Sequence, residues 1–394
     1  MFARLKHSLS NVLSYRTIIL YNRDKQNFSS IMSAHFWLSK EAIPLTLDEL
    51  SSMSDDQARR FLAEMRWGSA DKQICPDCGV VDSHYDIRTR KQWRCKHCSH
   101  TFSVTTNTTF ADHKISYRKL AMAIFAFVIN QKGLAALTLR RIIGGHYRTS
   151  FTLLHKIREA VMLTVSTEKM NGVIEIDGGH FSGKKRKGRK KKKSAPADKN
   201  QVPAKYSNQH RSKVGASAFP FHPNRRIVIV LREMFGEAGK GASRTVVAVC
   251  KSENAADIQA LVKQWVNERA TIYSDELPAY GNLKLMGYVH EAVNHSEEFS
   301  RDDGVNENQA ESFFSRMRRS CFGIYHRITP KYMLDYACEM AWREDMRRKN
   351  TKQQIRSLFQ RVCSAGVSTD WFNYSHGHKR AAEIMFQASP SSPA

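Results

Sequence analysis

No stretch of this chain is apolar for long enough to span a bilayer, which takes about 20 consecutive apolar residues. The first 31 residues carry Arg4, Lys6 and Arg16 and a short apolar patch at Thr17–Tyr21. They lack a signal-peptide core and a small-residue cleavage site, so secretion is disfavoured. No Walker-type glycine loop is present, so nothing points to nucleotide hydrolysis. Acids are scarce: 37 Asp and Glu stand against 62 Lys and Arg, a net charge of +25. Such an excess implies a polyanionic partner bound with counterion release. An acidic membrane surface is the competing explanation for the charge.

At 394 residues, 41% of them apolar and 10% aromatic, the chain has room for two or three domains and a sizeable core. Four of its eight cysteines form two knuckles, Cys75-x2-Cys78 and Cys95-x2-Cys98, with 16 residues between them. Four thiolates so spaced can surround one Zn2+ tetrahedrally, as in a zinc ribbon. Cys250, Cys321, Cys338 and Cys363 lie singly in apolar or helical contexts and read as buried thiols of a reducing compartment.

Met32 is an alternative start, and residues 1–44 are expected to form an appendage, partly disordered. Residues 45–70 should be helical, since Ala58, Phe61, Leu62 and Met65 recur at helical spacing. The ribbon should occupy 71–112, with the metal supplying much of its folding energy. Residues 113–165 read as three helices, the last two separated by Gly144-Gly145. Tyr147, Arg148, Thr149 and Lys156 on the third suggest a helix-turn-helix that binds DNA. Three packed helices that merely link two domains fit the same pattern.

From Val173 the pattern turns to strands: 173–177, 226–232, 245–251, 271–275 and 288–293, with helices at 256–266, 307–320 and 329–348. This order predicts a mixed α/β domain, one mixed sheet with helices packed on it, over 170–348. Residues 183–223 interrupt it as an expected disordered insertion. Nine of the ten residues Lys184–Lys193 are Lys or Arg. Lys184, Lys185, Arg186, Lys187, Arg189 and Lys190 are candidate DNA-backbone contacts; a solvated loop is the plainer reading. Residues 349–394 read as a helical segment and a polar tail.

Asp177 and Asp275 each end a predicted strand, where ligands bind in open α/β sheets. Glu311 lies on a helix whose Ala310, Phe313, Phe314 and Met317 would face the sheet. Three gathered carboxylates repel unless cations lie between them. Two Mg2+ or Mn2+ ions would satisfy them and catalyse phosphoryl transfer. Structural roles compete: Asp275 can cap the turn before Pro278, and Asn308-x-x-Glu311 has the form of a capping box.

The ordered series CPDCG, CKHCSHTFSVTTNTTF, IEIDGGHFSG, YSDELPAY, VNHSEEF and NENQAESFFSRMRRSCFGIYHRI, over about residues 45–348, resembles bacterial insertion-sequence transposases of the DDE type. Those enzymes join an N-terminal zinc ribbon to an RNase H-like core. The resemblance implies DNA cleavage and strand transfer by Asp177, Asp275 and Glu311, whose last two members are separated by 35 residues. It implies that Asn308 shares or replaces the role of Glu311, and that Arg318 or Arg319 takes the place of a common phosphate-binding Lys. It further implies binding to terminal inverted repeats and target DNA, a homodimer or larger synaptic assembly, and a cytoplasmic, nucleoid-associated location. Gly178, Gly179 and His180 depart from the acid and hydroxyl or aromatic residues that often follow the first Asp. His290, His295 and His326 are secondary candidates. A DNA-binding regulator with an inactive RNase H-like domain, and a structure-specific nuclease, are the rival readings.

Overall fold

The computed structural model describes residues 36–182, 225–236, 241–293 and 308–387. The basic run at 183–193 and His295 lie outside them.

The ribbon is a three-stranded antiparallel sheet of β1 (His84–Ile87), β2 (Gln92–Cys95) and β3 (Thr101–Phe102). It docks on α2 (Asp55–Trp67), which follows the short α1 (Leu47–Ser52). Ser54 and Gln57 close a capping box at the start of α2, and Gly68 ends it with φ +81°. Trp67 of α2 meets Trp93 of β2 edge to face at 5.6 Å. Arg59 stacks over the same Trp93 ring at 4.5 Å and pairs with Asp86 at 3.0 Å. One aromatic centre thus joins helix and ribbon.

Three helices follow: α3 (Tyr117–Ile129), α4 (Ala136–Ile143) and α5 (Tyr147–Leu163). The break between α4 and α5 falls at Gly144 and Gly145, both at positive φ, as the sequence indicated. The core around these helices is closed from the far end of the chain. Helix α9 (Thr351–Ser364) buries Ile355, Leu358, Phe359 and Val362 against it. The described part of the N-terminal segment is docked too: Trp37 Nε1 donates to Arg347 O at 2.9 Å, and Thr351 Oγ1 to Ala42 O at 3.2 Å.

The second unit is one mixed sheet in the order β6-β5-β4-β7-β8. Its strands are β4 (Val173–Ser182), β5 (Arg225–Met234), β6 (Ala242–Cys250), β7 (Thr271–Asp275) and β8 (Val289–Val293). β5 runs antiparallel to both β4 and β6, whereas β7 pairs in parallel with β4, and β8 in parallel with β7. This is the sheet of an RNase H-like core. β5 reads as an unbroken apolar run because both its faces are covered. Ile227, Ile229 and Leu231 pack with Ile258, Leu261 and Val262 of α6 (Ala255–Trp265). Val228 and Val230 pack with Phe313, Phe314 and Met340 of α7 (Asn308–Gly323) and α8 (Met333–Asp345).

One expected boundary needs correcting. β4 does not end at Asp177; it runs five residues further, to Ser182. The Gly178-Gly179 pair does not break it, because β5 supplies a partner as far as Ser182↔Arg225. A Cβ on Gly179 would lie 2.4 Å from the Phe314 ring, so the glycine lets α7 rest directly on the strand.

Candidate active site and zinc centre

The two knuckles come together as the spacing implied. Cys75 Sγ is 3.6 Å from Cys98 Sγ, and Cys78 Sγ is 3.6 Å from Cys95 Sγ. All four sulfurs lie within 4.8 Å of one another. Zn–S bonds of about 2.3 Å in a tetrahedron need sulfurs about 3.8 Å apart, so the four thiolates fit one Zn2+. Each knuckle is shaped by its backbone: Gly79 N donates to Cys75 O at 3.0 Å and Ser99 N to Cys95 O at 3.1 Å. Gly79 and Ser99, at φ +74° and +60°, turn the chain so that each cysteine pair points inward. Among the described residues this is the metal-ligand cluster that closes to such distances.

The acids are arranged by strand register. β4 and β7 pair in parallel through Val173↔Thr271, Ile174↔Ile272 and Glu175↔Tyr273. Two residues on, the same register sets Asp177 beside Asp275, where the pairing stops. Partners in a parallel pair project from the same face, so both carboxylates leave the sheet on one side. Asp177 Oδ1 accepts from Gly178 N at 2.6 Å. Asp275 Oδ1 accepts from Leu277 N at 3.2 Å, so Asp275 does support the following turn. Behind it, Ser274 Oγ is 2.7 Å from Nε2 of the buried His290.

Helix α7 brings Glu311 to the same face. Glu311 is exposed in its first turn, and Asn308 is its first residue. The Gln309 and Ala310 amides both donate to Glu175 Oε2, at 2.8 and 3.0 Å. The three acids are not drawn to within 4.8 Å of one another.

Two further carboxylates border the site, and sequence reasoning missed both. Glu175 is fully buried, and burial above all pushes its carboxyl up to about 7, against the two helix amides that stabilise the anion. Glu253, after β6, accepts from Tyr280 Oη at 2.5 Å. Burial is the largest cause that lifts its carboxyl to about 7; the Tyr280 hydrogen bond opposes the lift, and the charges of Asp177 and Asp275 add to it. A Cβ on Gly178 would lie 2.2 Å from Glu253 Oε1, so the glycine after Asp177 makes room for that carboxylate. Glu253 had a signal in the sequence, as an acid in a strand-to-helix turn. Glu175, inside an apolar strand, had none without the register.

The candidate DNA contacts fall unevenly. Tyr147, Arg148 and Thr149 are exposed on the first turn of α5. Lys156 is half-buried, and burial holds its ammonium below the usual lysine range. Arg318 and Arg319 are exposed on α7, with Arg318 over the rings of Phe181 and Phe314 at 5.9 and 5.6 Å. His180 is held below its ordinary range by partial burial and by Arg225 and Arg318. His326 Nδ1 lies 3.1 Å from Phe322 O, a local contact. Lys184, Lys185, Arg186, Lys187, Arg189 and Lys190 fall outside the described residues. A cleft of about 680 Å³ lies between the ribbon and α3, lined by Lys91, Thr106, Asn107 and Lys114, away from the acids.

Comparison with known families resolves the combination. Residues 169–345 match the ISXO2-like transposase domain, and residues 53–101 match the transposase zinc-ribbon domain. An ISXO2-like transposase domain thus follows a transposase zinc ribbon in this chain. The first match runs from just before β4 to Asp345, the last residue of α8; the second covers α2 and the ribbon as far as Thr101. A search of curated proteins gave no match. Among the described residues, no helix is long and apolar enough to cross a membrane.

Proposed function

We propose that this chain cuts DNA at the ends of its own insertion element and joins those ends to target DNA. The observation that carries the reading is the register match of Asp177 and Asp275 on neighbouring parallel strands, on the face reached by the first turn of α7. The match to the ISXO2-like transposase domain supports the reaction class, and this arrangement of acids supports the choice of site.

Asp177, Asp275 and Glu311, with Asn308 beside Glu311, would hold two Mg2+ or Mn2+ ions through hard oxygen donors. When bound, such ions activate the attacking oxygen and neutralise the leaving one. Asp177 and Asp275 add to the lift that burial gives the Glu253 carboxyl, and cations held between these acids would offset that repulsion. Water first attacks the phosphorus at the element end, and the P–O3′ bond breaks to free a 3′-hydroxyl. That hydroxyl then attacks a target phosphodiester, so one P–O bond forms as another breaks. No nucleotide is consumed and no protein–DNA bond forms.

DNA would reach this face across exposed cations. Arg318 and Arg319 of α7 suit phosphate, in the manner of guanidinium forks. The ribbon exposes Tyr85, Arg88 and Arg94, with Lys96 over the Tyr85 ring at 5.0 Å. The first turn of α5 adds Tyr147, Arg148 and Thr149, the end of a recognition helix that contacts bases. Ribbon and helices together would bind the terminal inverted repeats. Two ends must be held at once, so the working form is a dimer or a larger assembly.

The test is product analysis with labelled terminal DNA, a target plasmid and Mg2+. Joined products support transposition. Cleavage without joining would mark a nuclease, and binding without either would mark a regulator.

A further inference from the structure

Glu175 and Arg232 are direct partners across β4 and β5, and they are 0% and 2% exposed. Together they hold one residue of α7. Glu175 Oε2 accepts from Gln309 N at 2.8 Å and from Ala310 N at 3.0 Å. Arg232 Nη1 donates to Gln309 O at 2.6 Å, while its Nη2 reaches Glu344 Oε2 of α8 at 3.4 Å. Helix amides are ordinarily capped by the residue just before the helix. Here the cap comes from a strand 134 residues away. A buried carboxylate at a helix N-terminus also gains from the helix dipole.

Stability alone does not account for this pair. Glu175 Oε1 and Arg232 Nε are buried without a hydrogen-bond partner, and each such group is costly. Well-packed apolar residues often replace buried charged groups without loss of stability. Location is what distinguishes this one. Asp177 lies two residues beyond Glu175 on the same strand face, and Glu311 lies two residues beyond Gln309 on the helix. The contact of Phe314 against Gly179 then lays the next turn of α7 on the same strand.

We infer that the Glu175–Arg232 pair is a clamp that sets the position of Glu311 relative to Asp177, so that both are positioning residues for the metal site. The inference rests on the proposed assignment of Asp177, Asp275 and Glu311 as the ligands. Glu175→Gln keeps an acceptor oxygen of the same reach, whereas Glu175→Ala releases the helix.

The experiment compares the full-length wild type with Glu175→Ala, Glu175→Gln and Asp275→Ala. It measures thermal unfolding, terminal-DNA binding, the Mg2+ concentration for half-maximal joining, and hydrogen exchange at the amides of residues 309–311. Glu175→Ala should need about 10–100-fold more Mg2+, the range seen when groups that orient metal ligands are lost. Its α7 amides should exchange faster while DNA binding holds. Glu175→Gln should resemble the wild type in each respect. A role in folding alone would lower the melting temperature and leave the Mg2+ requirement unmoved, and that result overturns the clamp. If Glu175→Ala does not fold, Arg232→Lys decides, because one ammonium cannot serve Gln309 O and Glu344 as a fork does. An unchanged Mg2+ requirement there also overturns the clamp. Joining by Asp275→Ala would instead overturn the site assignment, so the two failures are distinguishable.

Discussion

Arg158 Nε lies 2.6 Å from Glu339 Oε2, and both side chains are buried. The pair ties α5 of the N-terminal core to α8, which packs on the sheet through its other face. Arg343 approaches the same carboxylate, with Nε and Nη2 at 2.9 and 2.7 Å from Oε1, and donates to Phe127 O of α3 at 2.9 Å. Burial alone would raise the Glu339 carboxyl; the two guanidiniums outweigh it and hold the carboxyl below its usual range.

Removing this carboxylate strands two buried cations. Glu339→Ala should therefore cost about 3–5 kcal/mol, the range for breaking a buried pair from one side. Urea unfolding of the zinc-loaded protein measures it. A loss below about 1 kcal/mol would show that water or another acid takes over the role.

The ribbon should hold one tightly bound zinc per chain, because its four sulfurs already stand at tetrahedral separations. Metal analysis of purified protein reads this directly. Cys95→Ser should lose the zinc and unfold the ribbon, and terminal-DNA binding with it. Full zinc content and full binding in that variant would contradict the assignment.

Much of this was legible in the sequence, for identifiable reasons. The ribbon follows from cysteine spacing, and the buried strand β5 from its apolar run. The succession of five strands along the chain follows from where apolar runs alternate with one amphipathic helix, whereas their order in the sheet does not. The apolar pattern of β4 ends at Asp177, whereas the pairing with β5 decides how long the strand lasts. The roles of Glu175, Arg232 and Arg158 depend on partners far away in sequence, which no local pattern contains. Helix α9 could have been assigned to the N-terminal core. Ile355, Leu358, Phe359 and Val362 fall at i, i+3, i+4 and i+7, a full amphipathic face within a polar tail.

The lifted carboxyl of Glu253 gives a pH signature. Its folded value of about 7 lies above the ordinary 4.5, so the folded protein binds this proton more tightly than the unfolded chain. The stabilisation is complete below about 4.5 and is lost as pH rises through about 7. In metal-free buffer, Glu253→Gln should gain on the wild type between pH 5 and pH 8, by roughly 2–4 °C in melting temperature. A difference between the two proteins that does not vary with pH would contradict the linkage.

Glu311 is exposed on α7, so its replacement should leave the fold alone. Glu311→Gln should change unfolding free energy by less than about 0.5 kcal/mol, as exposed substitutions do. Joining should nonetheless fall by about 100-fold or more, more than 2.7 kcal/mol of transition-state stabilisation. Asn308→Ala, measured in parallel, tells whether the ligand role is shared: equal losses mean both residues serve, and a normal Asn308→Ala assigns the role to Glu311.

The most direct test is strand transfer from pre-cleaved terminal DNA into a target plasmid with Mg2+, comparing the wild type with Asp275→Ala. The account predicts joined products from the wild type, none from the variant, and equal binding of the terminal DNA by both. Joining by Asp275→Ala at the wild-type rate would contradict it and remove Asp275 from the catalytic centre.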